Sequence, residues 1–301
     1  PMERLDRSVV AQQVSGGVYI NWRITSDEWY NTSYRLYRDG ALIHETGLTG
    51  ASNFLDVTGA STSTYTVTTV KGGVESAHSV VGSVNTKGYI EIPMRDLKAL
   101  GKDSSYYLND ATAADLDGDG QMEIIIKRLN RNWSTANTNY TFFEAYKLDG
   151  TFLWGIDVGP NITMDVEINI AAFDFDGDGK AEVFMRTSDN TVFGDGKSVG
   201  DRDGDGETNY RYSIGGDGFM NAGPEYLSLI DGETGAELDW VYFIARGQST
   251  DWGDDYGHRA NKFFFGAPYL DGVKPSIFIG RGIYTQTKMA TYDVVNKKLV
   301  P

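Results

Sequence analysis

Three segments of this sequence repeat D-x-D-G-D-G: Asp115–Gly120, Asp174–Gly179 and Asp201–Gly206. Carboxylates at positions 1, 3 and 5 of such a loop converge on one point, and the glycines let the backbone wrap tightly around it. An all-oxygen, carboxylate-rich loop is the chemistry of a hard cation, and a capacity for seven ligands favours calcium over magnesium. In the first loop Asp115, Asp117 and Asp119 are direct ligands, followed by the Gln121 carbonyl and the Glu123 carboxylate. The second aligns as Asp174, Asp176, Asp178, the Lys180 carbonyl and Glu182. The third offers Asp201, Asp203, Asp205, the Glu207 carbonyl and Asn209. An acid at the ninth position instead of the twelfth separates these loops from EF-hands. The first two lie 59 residues apart and run into the strand-like segments EIIIKRL and EVFMRTS, whereas dockerin loops run into helices. Their default role is structural, pinning the connections between strands. Alone they do not make an enzyme.

The charge is placed to match. The 301 residues carry a formal charge of −15, but residues 1–90 are nearly balanced, with 7 basic and 8 acidic side chains. Residues 91–240 hold 29 acids against 12 bases, and residues 241–301 reverse the sign with 8 bases and 5 acids. An acidic chain does not neutralise phosphates by its net charge, which excludes nonspecific nucleic-acid binding. No apolar run approaches the roughly 20 residues of a membrane-spanning helix. The absence of Cys removes disulfides, thiol nucleophiles and Cys-ligated zinc.

The elements that must hold these loops are strands throughout, so the fold class is all-β. Residues 1–88 read as a β-sandwich of short alternating runs: GVYINWRIT (17–25), SYRLYRDG (33–40), ALIHE (41–45) and STYTVTTVKGG (63–73). Trp22, Tyr34 and Tyr65 on successive runs resemble the core marks of a fibronectin type III sandwich. Arg38-Asp39-Gly40 is a hairpin turn signal. His44 and His78 read as packing or surface residues. From residue 89 to 301, hairpins recur. FFEAYKLDGTFLWGIDVG (142–159) turns at Asp149-Gly150 and carries Trp154. YLSLIDGETGAELDWVYF (226–243) repeats that form, with Trp240 taken as the match to Trp154, and KMATYDVVNKKLVP (288–301) begins it again. Such units are the hairpins of β-propeller blades, and about 200 residues supply three to four of them. The expectation is an incomplete propeller ring. RDLKALG (95–101) is the one helical candidate, one or two turns long.

NDATAADLDGDGQMEIIIK (109–127), FFEAYKLDGTFLW (142–154), FDFDGDGKAEVFMRTSD (173–189), GPEYLSLIDGETGAEL (223–238), WGDDYGHRANKFFFGAPYLDG (252–272) and RGIYTQTKMATYD (281–293) occur in order. Together they resemble the rhamnogalacturonan lyases of polysaccharide lyase family 11, across essentially the whole chain. The resemblance implies an eight-bladed propeller, several calcium ions and β-elimination of the rhamnogalacturonan I backbone, a pectic polysaccharide. It also implies a secreted or periplasmic bacterial protein, monomeric at full length, and about twice this long. On that basis the basic catalytic residues are expected beyond Pro301, and the chain alone is expected to be poorly active. Asn109, Arg259, Arg281 and Tyr284 match positions that would line the substrate cleft. Where the family continues toward K-W-D-P, this chain has Lys127-Arg128-Leu129-Asn130. His258 stands where the family more often has Asn and reads as packing. A noncatalytic, calcium-stabilised propeller that binds carbohydrate or protein is the alternative reading of the same loops.

Overall fold

The computed structural model of the chain describes residues 5–102, 105–130, 132, 134–162, 170–215 and 218–301. Among them every regular element longer than four residues is a strand, so the chain is all-β. Two compact units divide them, the first holding 5–91 with Asp119–Gln121 and the second Ile92–Gly118 with Met122–Pro301.

The first unit contains β1 (Val10–Val14), β2 (Gly17–Asn21), β3 (Thr32–Arg38), β4 (Ala41–Glu45), β5 (Asn53–Asp56), β6 (Thr64–Lys71), β7 (Val74–Glu75) and β8 (Gly82–Asn85). β1, β2 and β5 pair antiparallel, as do β4, β3 and β6. β8 joins the two sets, antiparallel to β6 and parallel to β1. Period-two alternation turns Val18, Ile20, Tyr34 and Leu36 inward, where they pack with Trp22 and Tyr65. The Trp22 and Tyr34 ring centroids are 5.8 Å apart. Asp39 and Gly40 both take positive φ, 50° and 81°, the conformation that closes a tight hairpin between β3 and β4.

The second unit is three four-stranded antiparallel sheets in which sequence neighbours are spatial neighbours. The first holds β9 (Tyr107–Ala114), β10 (Glu123–Leu129), β11 (Phe142–Tyr146) and β12 (Phe152–Asp157). β13 (Ile170–Phe173), β14 (Glu182–Thr187), β15 (Tyr226–Asp231) and β16 (Glu237–Tyr242) form the second. The third is β17 (Phe263–Gly266), β18 (Ile277–Arg281), β19 (Lys288–Val295) and β20 (Lys298–Val300). One core joins Ile125, Phe143 and Trp154 to Val183, Met185 and Ile230, between the first and second sheets. Another joins Phe184, Leu227 and Leu229 to Phe263, Ile277 and Ile279, between the second and third. Segment 95–101 makes hydrogen-bonded turns and no helix; the Leu100 N–H reaches the Asp96 carbonyl, and Gly101 at φ 68° ends it. Short 3₁₀ turns lie instead at Arg211–Ser213, Ser249–Trp252 and Arg259–Asn261.

Trp240 does not occupy the place of Trp154. In both hairpins the register shifts by one residue just before the turn. Beyond that shift Ala145 faces Trp154, whereas Leu229, its counterpart, faces Asp239. Trp240 is therefore one residue out of step, and on a strand one residue exchanges the faces. It packs against Tyr226 at 5.1 Å and under the Arg202 guanidinium at 4.4 Å. The true counterparts, Trp154 and Asp239, each tie their sheet to the next. Trp154 Nε1 donates to the Gly232 carbonyl at 2.6 Å, and the Asp239 carboxylate accepts the Leu299 N–H at 2.8 Å.

A buried ion cluster adds a second tie. Glu225, just before β15, takes Arg186 at 2.5 Å, Arg281 at 2.5 Å and Arg246 at 3.2 Å. Burial alone would raise the Glu225 carboxyl, but the three guanidinium charges outweigh it and hold the group far below the carboxylate range. Arg186 and Arg281 also lie over the Phe263 ring at 4.1 and 5.1 Å. Removing the single anion leaves three cations crowded together. Glu225→Ala is expected to destabilise the protein by about 3–5 kcal/mol, read as a lower urea midpoint; a loss below about 1 kcal/mol would contradict this account.

Candidate metal centre

The three acidic loops share a backbone as well as a sequence. In each, the glycine pair adopts left-handed φ: 79° and 89° at Gly118 and Gly120, 83° and 97° at Gly177 and Gly179, 75° and 85° at Gly204 and Gly206. A side chain at these positions would strain the wrap. The first carboxylate of each loop then turns back on the loop's own N–H groups. Asp115, Asp174 and Asp201 accept from Gly118, Gly177 and Gly204 at 2.8, 2.7 and 2.8 Å.

The acids at the ninth position open the following strands. Glu123 begins β10 and accepts the Leu116 N–H at 2.8 Å; Glu182 begins β14 and accepts the Phe175 N–H at 3.0 Å. Leu116 and Phe175 are themselves core residues, so loop, strand and core are locked at one place. The Ala181 N–H on the second loop also donates to the Asp115 carbonyl on the first, at 2.8 Å.

Three groups of carboxylate oxygens result, each within 4.8 Å of one another: Asp115, Asp117 and Glu123; Asp174, Asp176 and Glu182; Asp189, Asp201 and Asp203. The fifth-position acids are not in these groups. Asp119, Asp178 and Asp205 accept the N–H of Gln121, Lys180 and Glu207 respectively, each at 2.8 Å. Asn209 accepts the Arg211 N–H at 3.1 Å. Asp189 is the member that sequence reading missed. It follows β14 by two residues and is fully buried. Its Oδ1 receives the Tyr226 hydroxyl at 2.9 Å, while Oδ2 is buried with no hydrogen-bond partner.

Such crowding is costly without a cation. Burial, then the Asp176 charge and its neighbours, pushes Glu182 up to about 8. Burial and the charges of Asp178 and Asp176 raise Asp174. Burial also raises Asp189, helped by Asp203 and Asp201. In the first group the Lys147 ammonium stands 2.5 Å from Asp117 and supplies part of the missing positive charge. All-oxygen donors, three carboxylates per group and the orphaned Asp189 oxygen together suit a hard divalent ion.

The residues expected to line a cleft are scattered by role. Arg281 is fully buried and engages Glu225 and, at 2.7 Å, the Ile244 carbonyl. Arg259 is fixed by an Asp254 contact to its N–H at 2.7 Å and by a Thr285 hydroxyl at 2.5 Å on its guanidinium. Tyr284 lies 5.5 Å from that guanidinium, is 82 % exposed and takes φ 63°. Asn109, on β9, has a buried Oδ1 with no hydrogen-bond partner. Lys127, Arg128 and Asn130 are all buried, engaging Asp110, Glu144 and Ser105. His258 stacks on Tyr256, with ring centroids 5.9 Å apart.

The family model for the C-terminal domain of rhamnogalacturonan lyase family 11 matches residues 87–301. The chain belongs to this family. A second model, for the β-sheet domain of rhamnogalacturonan I lyases, matches residues 1–84. Rhamnogalacturonan exolyase YesX of Bacillus subtilis (strain 168) is 39% identical over 308 residues, covering 99% of this chain and 49% of that protein. Rhamnogalacturonan endolyase YesW of the same organism is 38% identical, over 99% and 48%. The crystal structure of YesW superposes with a TM-score of 0.82 at 37% identity, covering 99% of this chain and 52% of that one. For the Bacillus licheniformis rhamnogalacturonan lyase the values are 0.80, 37%, 99% and 52%. The chain spans about half the length of the curated relatives it matches.

Within this family 11 chain the second acidic group makes a pH-dependent cost. Glu182 has its folded value near 8 against an ordinary 4.5, so between those limits the folded state holds a proton that the unfolded state releases. Stability in chelator therefore falls as pH rises from about 5 to about 8. Urea midpoints should show that slope, and Glu182→Gln should flatten it; a wild-type profile rising over this range counts against it.

Proposed function

We propose that this chain serves as part of a rhamnogalacturonan I lyase, cleaving the rhamnose–galacturonate backbone of a pectic polysaccharide by β-elimination. The carrying observation is family membership along 99% of the chain at close to 39% identity. On this reading residues 1–88 are a fibronectin type III-like sandwich. Residues 89–301 are blades of a β-propeller, each a four-stranded meander, in an acidic protein that works outside the bacterial cytoplasm. The ions of the three loops are calcium.

In β-elimination a base takes the proton α to the uronate carboxylate. The freed electron pair becomes the new carbon–carbon double bond, and the glycosidic oxygen leaves and gains a proton. Negative charge grows on the carboxylate side, and preorganised cationic groups lower that barrier. Bound calcium would supply Lewis-acid stabilisation of carboxylates and would fix the loops that Asp174, Asp176, Glu182, Asp189 and their counterparts hold. Arg259 would pair with a uronate carboxylate, a reading supported by a guanidinium that Thr285 already orients. Tyr284 offers an exposed ring on a backbone whose left-handed φ costs energy, a feature that clusters at ligand sites.

Calcium at a hundredfold excess over its Kd should stabilise the chain by about 2.7 kcal/mol for each site it fills, seen as a rise in melting temperature. Magnesium should do less, and Asp189→Asn should remove part of the gain; an equal response to both ions sinks the calcium assignment. For activity, a polypeptide of the relatives' length that includes this sequence should raise ultraviolet absorbance from unsaturated uronate when given rhamnogalacturonan I. Arg259→Ala and Tyr284→Ala should raise KM about tenfold, the scale of one lost charge-assisted contact. The 301-residue chain alone should turn over little. No absorbance rise from the longer protein with calcium present would refute the lyase reading.

A further inference from the structure

Trp29 and Tyr30 stand side by side on the connection between β2 and β3, 65 % and 56 % exposed. Their rings meet edge to face at 5.4 Å. Leaving two large aromatic faces in water forgoes substantial burial, and a patch of this kind marks a contact surface. The turn that presents them is built to be rigid. Glu28, beneath, is buried and takes both terminal nitrogens of Arg7, the Thr25 N–H at 3.2 Å and the Tyr34 hydroxyl at 3.3 Å. The Glu28 and Asn31 N–H groups close successive turns onto Thr25 and Glu28. A ligand that meets this pair has little loop entropy to remove.

Beside the pair lies a groove of about 570 Å³ walled by Tyr30, Leu48 and Val70 and edged by Asn31, Ser33 and Lys71. Its end is the Gly72-Gly73 turn between β6 and β7, where an added Cβ would meet nothing within 4 Å. Strand pairing fixes Lys71 opposite Thr32 and so beside the aromatic turn. The Lys71 ammonium is 3.5 Å from Asp27, both side chains being more than half exposed, so that ion pair is weak and yields to a better acceptor.

Flat rings, an amide, a hydroxyl and one cation are what a chain of pyranose rings bearing carboxylates needs. The C–H face of a pyranose carries slight positive charge and lies on the electron-rich face of an aromatic ring. Asn31 and Ser33 serve the ring hydroxyls, and Lys71 takes a carboxylate. We infer that the Trp29–Tyr30 turn and its groove form a noncatalytic binding site for an acidic, uronate-containing polysaccharide. This site lies wholly in the first unit, uses none of the acidic loops and needs no bond cleavage.

The test is affinity electrophoresis of the 301-residue chain in native gels containing polygalacturonate or neutral galactan, with chelator throughout so that the acidic loops contribute nothing. Wild-type protein should be retarded by polygalacturonate, and Trp29→Ala with Tyr30→Ala should weaken retardation at least about tenfold. Both residues are exposed, so the melting temperature of the double variant should match wild type. Lys71→Met should weaken binding to polygalacturonate while sparing galactan. Wild-type mobility unaffected by polygalacturonate, as for a surface that docks protein, overturns the inference. So does retardation that survives loss of both aromatics, and an equal effect of Lys71→Met on the two polymers removes the uronate assignment. Lyase activity enters none of these readings, so failure here leaves the proposed reaction standing.

Discussion

Carboxylates crowded into a low-dielectric place must be neutralised, and the second unit is arranged around that requirement. Asp115, Asp174 and Glu182 are buried while their neighbours in each group carry the same charge. Glu123 and Glu182 hold the N–H groups of Leu116 and Phe175, which sit in the cores on the two sides of the second sheet. A cation at each group would therefore act on more than a loop. It would settle the first residue of β10 and of β14, and through them the register of two sheets. Removing it exchanges an ion-centred lock for repulsion at the same atoms.

The sheets are then joined by side chains at equivalent positions whose chemistry is unrelated. An indole N–H at Trp154 and a carboxylate at Asp239 each reach the backbone of the following sheet. One position has kept its geometry while its residue type changed, because what the architecture needs there is one hydrogen bond across the gap, from either direction. Glu225 fills the remaining space between the second and third sheets, where three arginines would otherwise repel. Its Arg186 and Arg281 partners also cover aromatic rings, so the cluster is packed as well as paired.

What sequence could read follows from how local each feature is. The acidic loops are written in nine consecutive residues, and their glycine pairs report the backbone directly, so their form is visible. Hairpins were visible for the same reason. Asp189 was not, because its partners Asp201 and Asp203 arrive through a return of the chain, part of which is the bridge of Val192 to Ser198. The available signal was a lone Asp closing the apolar run EVFMRTS, in a place where a buried acid needs a partner. Trp240 misled because composition says nothing about a one-residue register shift, and on a strand that shift reverses the face. The motif that holds Arg281 says nothing of its burial. Its burial is set by Glu225, 56 residues earlier, which no spacing rule connects.

Net charge now has a physical division. Residues 91–240 gather the anionic surplus, and twelve of the acids there lie in the three loops, where they accept backbone N–H groups and would serve cations before solvent. Residues 241–301 carry a small positive excess, and Arg259 with its neighbour Tyr284 lies within it. On the lyase reading this resolves the apparent conflict of an acidic protein meeting an acidic polymer. At distances beyond roughly 8 Å in physiological salt the overall charge is screened, so the polymer responds to what it touches. Fixed guanidinium groups and loop-held cations would then be the relevant field. The acids that make the chain repellent as a sum are, by placement, the ones that would hold its positive centres.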